Sequence, residues 1–249
     1  MTPPSAEIRI PCRTILFGGP PAPKPGFRIL GASHLLTVAL LVVLNVLLVV
    51  FRAGIRGTPF DAALRVLMAS LLLANELGLS LWRIRHRVWD VRTSLPLHLC
   101  GVSVVLAAVM LYADSYVIFE LTYFWAMGGA LQGLLTPDVE GFDAPHFRFA
   151  TTFVSHGLIV TANLYMVIVA GMRPTFSSYL KSMAVLNAWG AAMLLFNRAT
   201  GSNYGFLCRK PDTPTLFDVL GPWPWYLASL EAIAWALSFL FLLPFLLGA

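Results

Sequence analysis

The sequence predicts an all-α polytopic membrane protein, a bundle of seven transmembrane helices with its N-terminus in the cytoplasm. Of the 249 residues, 58% are hydrophobic and only 12% are charged, whereas soluble domains carry about 25% charged residues. A water-soluble domain of this size would leave too much of that apolar surface exposed. The long apolar runs are therefore interpreted as spans of a multi-pass protein in the cell membrane.

Seven apolar segments are long enough to cross the membrane. At about 1.5 Å per residue, roughly 20 helical residues cross a hydrocarbon core about 30 Å thick. The third and fourth segments, joined only by Ala113 and Asp114, are expected to form a tight antiparallel hairpin. The predicted spans cover residues 30–51, 61–82, 93–112, 115–135, 149–171, 179–197 and 225–247.

The chain is predicted to hold one folded domain. Residues 1–29 contain seven of the seventeen prolines and are expected to form an irregular tail, whereas residues 30–249 form a single seven-helix domain. Twelve Lys and Arg residues fall on the side of the membrane that holds the N-terminus, against five on the other. This bias places the N-terminal side in the cytoplasm and accounts for the net charge of +5. No motif indicates nucleic-acid binding.

Polar side chains recur at one depth within the predicted spans. Four of them lie six or seven residues inside the N-terminal side, about 10 Å deep, namely Glu76, Cys100, His156 and Glu231. Since an ionisable residue within a span is costly, each is a candidate site residue. We expect a polar pocket that opens towards the cytoplasmic leaflet and is lined by Glu76, Gln132, Asn197, Asn203, Tyr204 and Glu231.

The pairing of a thiol with an imidazole would give this pocket a nucleophile, because histidine can take the proton of cysteine. His98 and Cys100 lie two residues apart, so on one helix they would point about 200° apart. His156, on another span at similar depth, is the better base. Two alternatives stay open: Cys100 is a small buried hydrophobe, and His156 is a hydrogen-bonded packing residue. No ligand spacing supports a metal site of Glu76, His98 and His156, and no motif indicates a cofactor.

Six stretches of sequence, taken together, resemble the YwaF-like family of bacterial integral membrane proteins. They follow in the same order over most of the chain: SLPLHLC (94–100), YFWAMGGALQGLLTPD (123–138), PHFRF (145–149), SHGL (155–158), NYGFLCRKP (203–211) and LGPWPWY (220–226). That family looks distantly similar to the animal transmembrane protein 164 family. From the residues alone, Gly129 and Gly133 in the second stretch predict a face for close helix packing.

The animal family is described as a lipid acyltransferase that builds ether phospholipids with polyunsaturated chains. A cysteine is thought to carry the acyl group and a histidine to assist it. The resemblance implies a similar core here, with His156 in the place of that histidine. In the animal pattern the cysteine follows a proline and precedes a histidine. Here Pro96 and His98 match, Leu97 occupies the cysteine position, and Cys100 follows three residues later, close to one helical turn.

These observations lead to a principal hypothesis and two rivals. The principal hypothesis is a thiol-dependent acyltransferase or hydrolase whose partners are phospholipids and lysophospholipids of the membrane. Its catalytic residues would be Cys100 and His156, with His98 in binding or proton transfer and Glu76 or Asn203 orienting the histidine. The alternative is a small-molecule or lipid transporter, or a receptor-like binding protein without catalysis. A third interpretation is a scaffold in which the polar residues only hold the helices together.

Overall fold

The computed structural model describes residues 16–20, 22, 26–211 and 216–248. Most of the predicted tail, residues 1–29, therefore lies outside the described part of the chain. The regular structure of the described residues is entirely helical, with no strand. The all-α prediction is confirmed for this part of the protein.

Five of the described helices are long and apolar enough to cross a membrane. They match five of the predicted spans to within a few residues, and they make the chain a multi-pass membrane protein. Two further apolar segments are shorter or interrupted, namely α3 (Leu99–Ala113) and α4, which runs in three stretches over residues 116–135. The five long helices are α1 (Ala32–Ile55), α2 (Pro59–Arg85), α5 (Phe147–Ile168), α6 (Phe176–Thr200) and α7 (Trp225–Leu246).

The third predicted span is wrong at its start, because α3 begins at Leu99 and runs to Ala113. The preceding residues form turns, in which the backbone N–H groups of Thr93 and Ser94 donate to the carbonyl of Asp90. The backbone of Pro96 then folds over the first turn of α3. A Cβ at Gly101 would lie 2.8 Å from Cα of Pro96, so this close approach requires glycine.

The helix α4 is interrupted by a π-helical turn. Its three stretches are Tyr116–Trp125, the π-helical Ala126–Ala130 and Leu131–Leu135. The N–H of Leu131 donates to the carbonyl of Ala126, five residues earlier instead of the usual four. A π turn contains an extra residue, so the side chains that follow it point in different directions from those of a continuous α-helix. The π turn therefore sets the direction in which the last stretch of α4, which contains Gly133, faces its neighbours.

The turn between α3 and α4 is as tight as the sequence predicts. The helix α3 ends at Ala113, and Asp114 adopts a left-handed conformation with φ of 51°. Ser115 caps the next helix by accepting the N–H of Ile118. Arg65 of α2 contacts Oδ2 of Asp114 at 2.8 Å. This ion pair fixes the hairpin against α2.

The helix α5 lies at the centre of the bundle. Of its most apolar stretch, 56% is buried inside the protein, against 6% for α1. It contacts α1, α2, α3 and α4, and a hydrogen bond of 2.9 Å from Oγ1 of Thr122 to Oδ1 of Asn163 joins it to α4. Side chains on α5 can therefore meet residues from several helices, which is what positions the candidate site.

Candidate functional site

The thiol of Cys100 and the imidazole of His156 lie beside each other, close enough for the two side chains to interact. Cys100 lies in the first turn of α3, His156 lies near the middle of α5, and both side chains are partly buried. A thiol held against an imidazole is the arrangement in which histidine acts as the base and leaves a thiolate nucleophile. The structure thus brings together the two residues that the sequence analysis pairs.

The tautomer of His156 follows from its second contact. Its Nδ1 lies 2.8 Å from the carbonyl oxygen of Thr152, one turn earlier on α5. Because a carbonyl oxygen only accepts, Nδ1 carries the proton of the neutral ring. The lone pair is then on Nε2, which is the nitrogen free to accept a proton from the thiol. Thr152, and neither Glu76 nor Asn203, is therefore the residue that orients the imidazole.

The space for this imidazole comes from Gly133 on α4. A Cβ at residue 133 would lie 2.5 Å from Nε2 of His156, whereas a Cβ at Gly129 would find Leu99 at an ordinary 3.8 Å. The sequence analysis interprets both glycines as a packing face. The structure separates them, because only Gly133 is required by the position of the catalytic candidate His156.

The N-terminus of α3 supplies donors next to the thiol. Cys100 is the second residue of this helix after the N-cap His98, and no described side chain caps the helix. The first N–H groups of a helix have no acceptor within it, and a helix N-terminus carries a partial positive charge. Both features stabilise a thiolate at Cys100, and the same N–H groups are suited to stabilising an oxyanion formed beside it.

A charged cluster adjoins the pair through Thr152. Arg148 is only 6% exposed; it donates to Oγ1 of Thr152 at 3.0 Å and to Oε1 of Glu140 at 2.9 Å. Arg83 lies 3.9 Å from the same carboxylate, and Glu76 is close enough to interact electrostatically with both arginines. The sequence analysis misses these arginines because it counts them only as charges of the cytoplasmic loops. The available signal is the position of Arg148 directly before the predicted span 149–171.

His98 contacts the connection between α6 and α7. Its ring centroid lies 5.1 Å from those of Tyr204 and Phe206, and its Nδ1 accepts the N–H of Gly205 at 3.4 Å. His98 precedes α3, so the angle expected between His98 and Cys100 on one helix does not apply. No group of three His, Cys, Asp or Glu side chains among the described residues could hold a metal ion.

Three of the predicted pocket residues hold this connection in place. The hydroxyl of Tyr204 donates to the carbonyl of Val91 at 2.6 Å and accepts the N–H of Leu95 at 3.0 Å. The side-chain amide of Asn197 bridges Ser202 and the backbone of Tyr204. The amide of Asn203 binds backbone groups of its own loop at residues 208 and 209. Their polar groups are therefore engaged in shaping the loop that covers His98.

The other predicted pocket residues are spread over the bundle. Glu231 accepts hydrogen bonds from Asn187 at 2.8 Å and Trp235 at 2.6 Å, at the contact between α6 and α7. Gln132 is exposed on α4. Glu76 adjoins the charged cluster next to His156.

Two cavities in the described part of the protein have walls that include neither Cys100 nor His156. One, of about 410 Å³, is an apolar groove between α1, the end of α4 and α5. The other, of about 460 Å³, lies beside Trp82, His86 and Phe147. Leu134 and Gly157 in the wall of the first cavity directly follow Gly133 and His156 in the sequence. The apolar groove therefore begins at residues next to Gly133 and His156 in the chain.

The sequence was compared with known protein families, curated proteins and solved structures, and a family model matches it. A family model described as the TMEM164 family matches residues 29–242, a range that includes Cys100, Gly133 and His156. No curated protein and no solved structure matches the chain.

Proposed function

This chain belongs to the TMEM164 family, and on that premise we propose that it is a thiol-dependent acyltransferase or hydrolase of membrane phospholipids. The observation that carries the proposal is that the Cys100 thiol lies beside the His156 imidazole, close enough for the two side chains to interact. Burying a polar nucleophile and a base within a membrane bundle is costly, so a functional role is the default interpretation of such a pair. Membership of the YwaF-like bacterial family stays a prediction.

The first step transfers the acyl group to the protein. Nε2 of His156 takes the proton of the thiol, and the sulfur of Cys100 attacks the carbonyl carbon of a phospholipid ester. A carbon–sulfur bond forms and the carbon–oxygen bond of the ester breaks. The leaving oxygen takes the proton back from the imidazolium and departs as the hydroxyl of a lysophospholipid. The product on the protein is an acyl thioester.

The second step releases the acyl group. A hydroxyl of a lysophospholipid, or water, loses its proton to Nε2 of His156 and attacks the thioester carbonyl. The carbon–sulfur bond breaks, and the sulfur of Cys100 regains a proton from the imidazolium. With a lysophospholipid the reaction is acyl transfer, and with water it is hydrolysis. Both steps need the Nδ1-protonated tautomer of His156 that its bond to Thr152 supports.

The place of this reaction follows from the depth of the pair. Cys100 lies in the first turn of α3, at the membrane side that also holds the start of α1 and α5. That side carries most of the basic residues and is the predicted cytoplasmic side of the cell membrane. We therefore place the substrates, phospholipid and lysophospholipid, in the cytoplasmic leaflet.

Acyl transfer between defined lipids tests the proposal. The purified protein is reconstituted in vesicles that contain a phospholipid with a deuterated acyl chain and an unlabelled lysophospholipid, and the lipids are followed by mass spectrometry. We expect the label to move to the lysophospholipid or to free fatty acid. Cys100→Ala and His156→Ala should abolish this movement, whereas Cys208→Ala, which removes another free cysteine, should not.

Two outcomes contradict the proposal. Undiminished transfer by Cys100→Ala would exclude the thiol as nucleophile. Unchanged lipids with the wild-type protein would favour the alternative, a lipid or small-molecule transporter or a binding protein without catalysis.

A further inference from the structure

The apolar groove between α1 and α5 has a polarity and an extent that suit one lipid chain. Its wall is formed by apolar side chains and by Asn45, whose Nδ2 donates to Thr161 and to the backbone of α1. Along α5 the groove runs from Gly157 to Ile168, about 16 Å at about 1.5 Å per residue. A single leaflet contributes about 15 Å of hydrocarbon, half of the core of about 30 Å. The groove is therefore about as long as the distance that one acyl chain covers within a leaflet.

The groove begins at the depth of the candidate catalytic pair. On α5 the groove begins at Gly157, which directly follows His156 in the sequence. On α4, Leu134 lines the groove and directly follows Gly133, which contacts the imidazole. From this level the groove runs along α5 away from the N-terminal side, as far as Ile168 at the C-terminal end of the helix. A lipid whose ester lies at Cys100 would have its chain pointing in the same direction.

The groove is continuous with the lipid-facing surface of the protein. Its outer wall is α1, of whose most apolar stretch only 6% is buried and whose main contact is with α5. Val42 and Val46 line the groove and are still 56% and 53% exposed. Lipid chains can thus enter sideways from the bilayer, and an apolar wall offers a charged head group no partner.

We propose that the acyl chain of the lipid substrate lies in this groove, and that Val42 and Val46 on α1 limit its length. The inference rests on the proposed function, since the occupant is the chain whose ester Cys100 attacks. The two residues are one helical turn apart. A large side chain at position 46 would close the lower part of the groove, and one at position 42 would close it nearer to His156.

Competition between donors of different chain length tests the inference. The vesicle assay is repeated with an equimolar mixture of a short-chain and a long-chain phospholipid, each with its own isotope label. We expect Val46→Trp to lower transfer of the long chain relative to the short chain by about tenfold, the smaller end of what one methylene group contributes to selection in an apolar pocket. Val42→Trp should lower it further, because it excludes chains of intermediate length as well.

Val43→Trp is the matched control. Val43 is also 53% exposed on α1 but lies outside the groove, so the same bulk there should leave the chain preference unchanged. If the wild type transfers acyl chains and all three variants show its chain preference, the groove assignment is overturned and the proposed function stands. The three variants are Val46→Trp, Val42→Trp and Val43→Trp. Absence of wild-type transfer would overturn the proposed function and, with it, the occupant of the groove.

Discussion

The imidazole of His156 occupies the space that Gly133 leaves open on α4, where a Cβ would lie 2.5 Å from Nε2. The base of the candidate site is therefore held between two helices, α4 behind it and α3 with Cys100 in front of it. The glycine follows the π-helical turn Ala126–Ala130. Helical turns of this kind occur frequently at functional sites.

Substitution Gly133→Ala should displace the imidazole and disrupt the pair. Because a displacement of about 1 Å in a catalytic group can cost about 100-fold in rate, we expect a loss of that order in acyl transfer. Gly129→Ala is the control, since a Cβ there meets its nearest neighbour, Leu99, at 3.8 Å. The assay is the transfer rate in vesicles for both variants. Equal rates would show that the position of the imidazole does not depend on Gly133.

Substitution Tyr204→Phe should loosen the segment that leads into α3. It leaves the carbonyl of Val91 and the N–H of Leu95 without their shared hydroxyl, at a cost of about 1–3 kcal/mol in unfolding free energy. Since this segment sets the position of Cys100, the transfer rate should fall too. Tyr226→Phe removes a hydroxyl bound to Phe206 in the same connection. Tyr226→Phe should reduce stability with a smaller loss of transfer rate than Tyr204→Phe. A larger loss of transfer rate in Tyr226→Phe would contradict the role given to Tyr204 in positioning Cys100.

Substitution Glu140→Gln should destabilise the fold around Arg148. The buried guanidinium loses its 2.9 Å partner of opposite charge, which is expected to cost about 1–3 kcal/mol. Unfolding by denaturant in detergent measures the change. Asp143→Asn makes the same charge change in the same loop, where the carboxylate of Asp143 accepts the neighbouring N–H of Ala144. A cost for Asp143→Asn equal to that for Glu140→Gln would mean that net charge, and not the contact with Arg148, is responsible.

Acidification should destabilise the junction of the N-terminal segment with α5. Nδ1 of His146 accepts the N–H of Arg148, so Nε2 carries the proton and donates to the carbonyl of Gly18 at 3.0 Å. Burial lowers the pKa of His146, and the positive charges of Arg148 and His86 act in the same direction. The unfolded chain then binds a proton more readily than the folded one. Stability should be full above the ordinary histidine pKa of about 6.5 and fall as the pH decreases below it.

The control for this pH dependence is His146→Gln, which replaces the titrating imidazole with an amide that can still donate and accept hydrogen bonds. Its unfolding midpoint, measured above and below about pH 6.5, should change less than that of the wild type. An identical pH dependence in the two proteins would assign the effect to another group.

The helices and the pairing of Cys100 with His156 could be expected from the sequence, because both depend on position along the chain. Apolar length predicts a span, and equal depth in two spans brings side chains to one level of the bundle. The late start of α3 could not be foreseen. It depends on Pro96 folding onto Gly101, a close approach that hydropathy does not report.

The residues that bind the imidazole of His156 could not be predicted from the sequence for a related reason. Whether Thr152 or Asn203 holds the imidazole depends on which backbone groups are free and which side chains are already bonded, and neither is a property of spacing. Asn203 is bonded within its own loop, while the carbonyl of Thr152 lies one turn before His156. Depth alone likewise placed Glu231 in the pocket, although its partners are Asn187 and Trp235.

The mass of the intact protein after incubation with a defined phospholipid tests the central claim most directly. The account predicts a hydroxylamine-labile adduct of the mass of one acyl chain on the wild-type protein and on Cys208→Ala. The adduct should be absent from Cys100→Ala and greatly reduced in His156→Ala, which lacks the base. An acyl adduct that persists in Cys100→Ala would contradict the account, because the acyl group would then be carried by another residue.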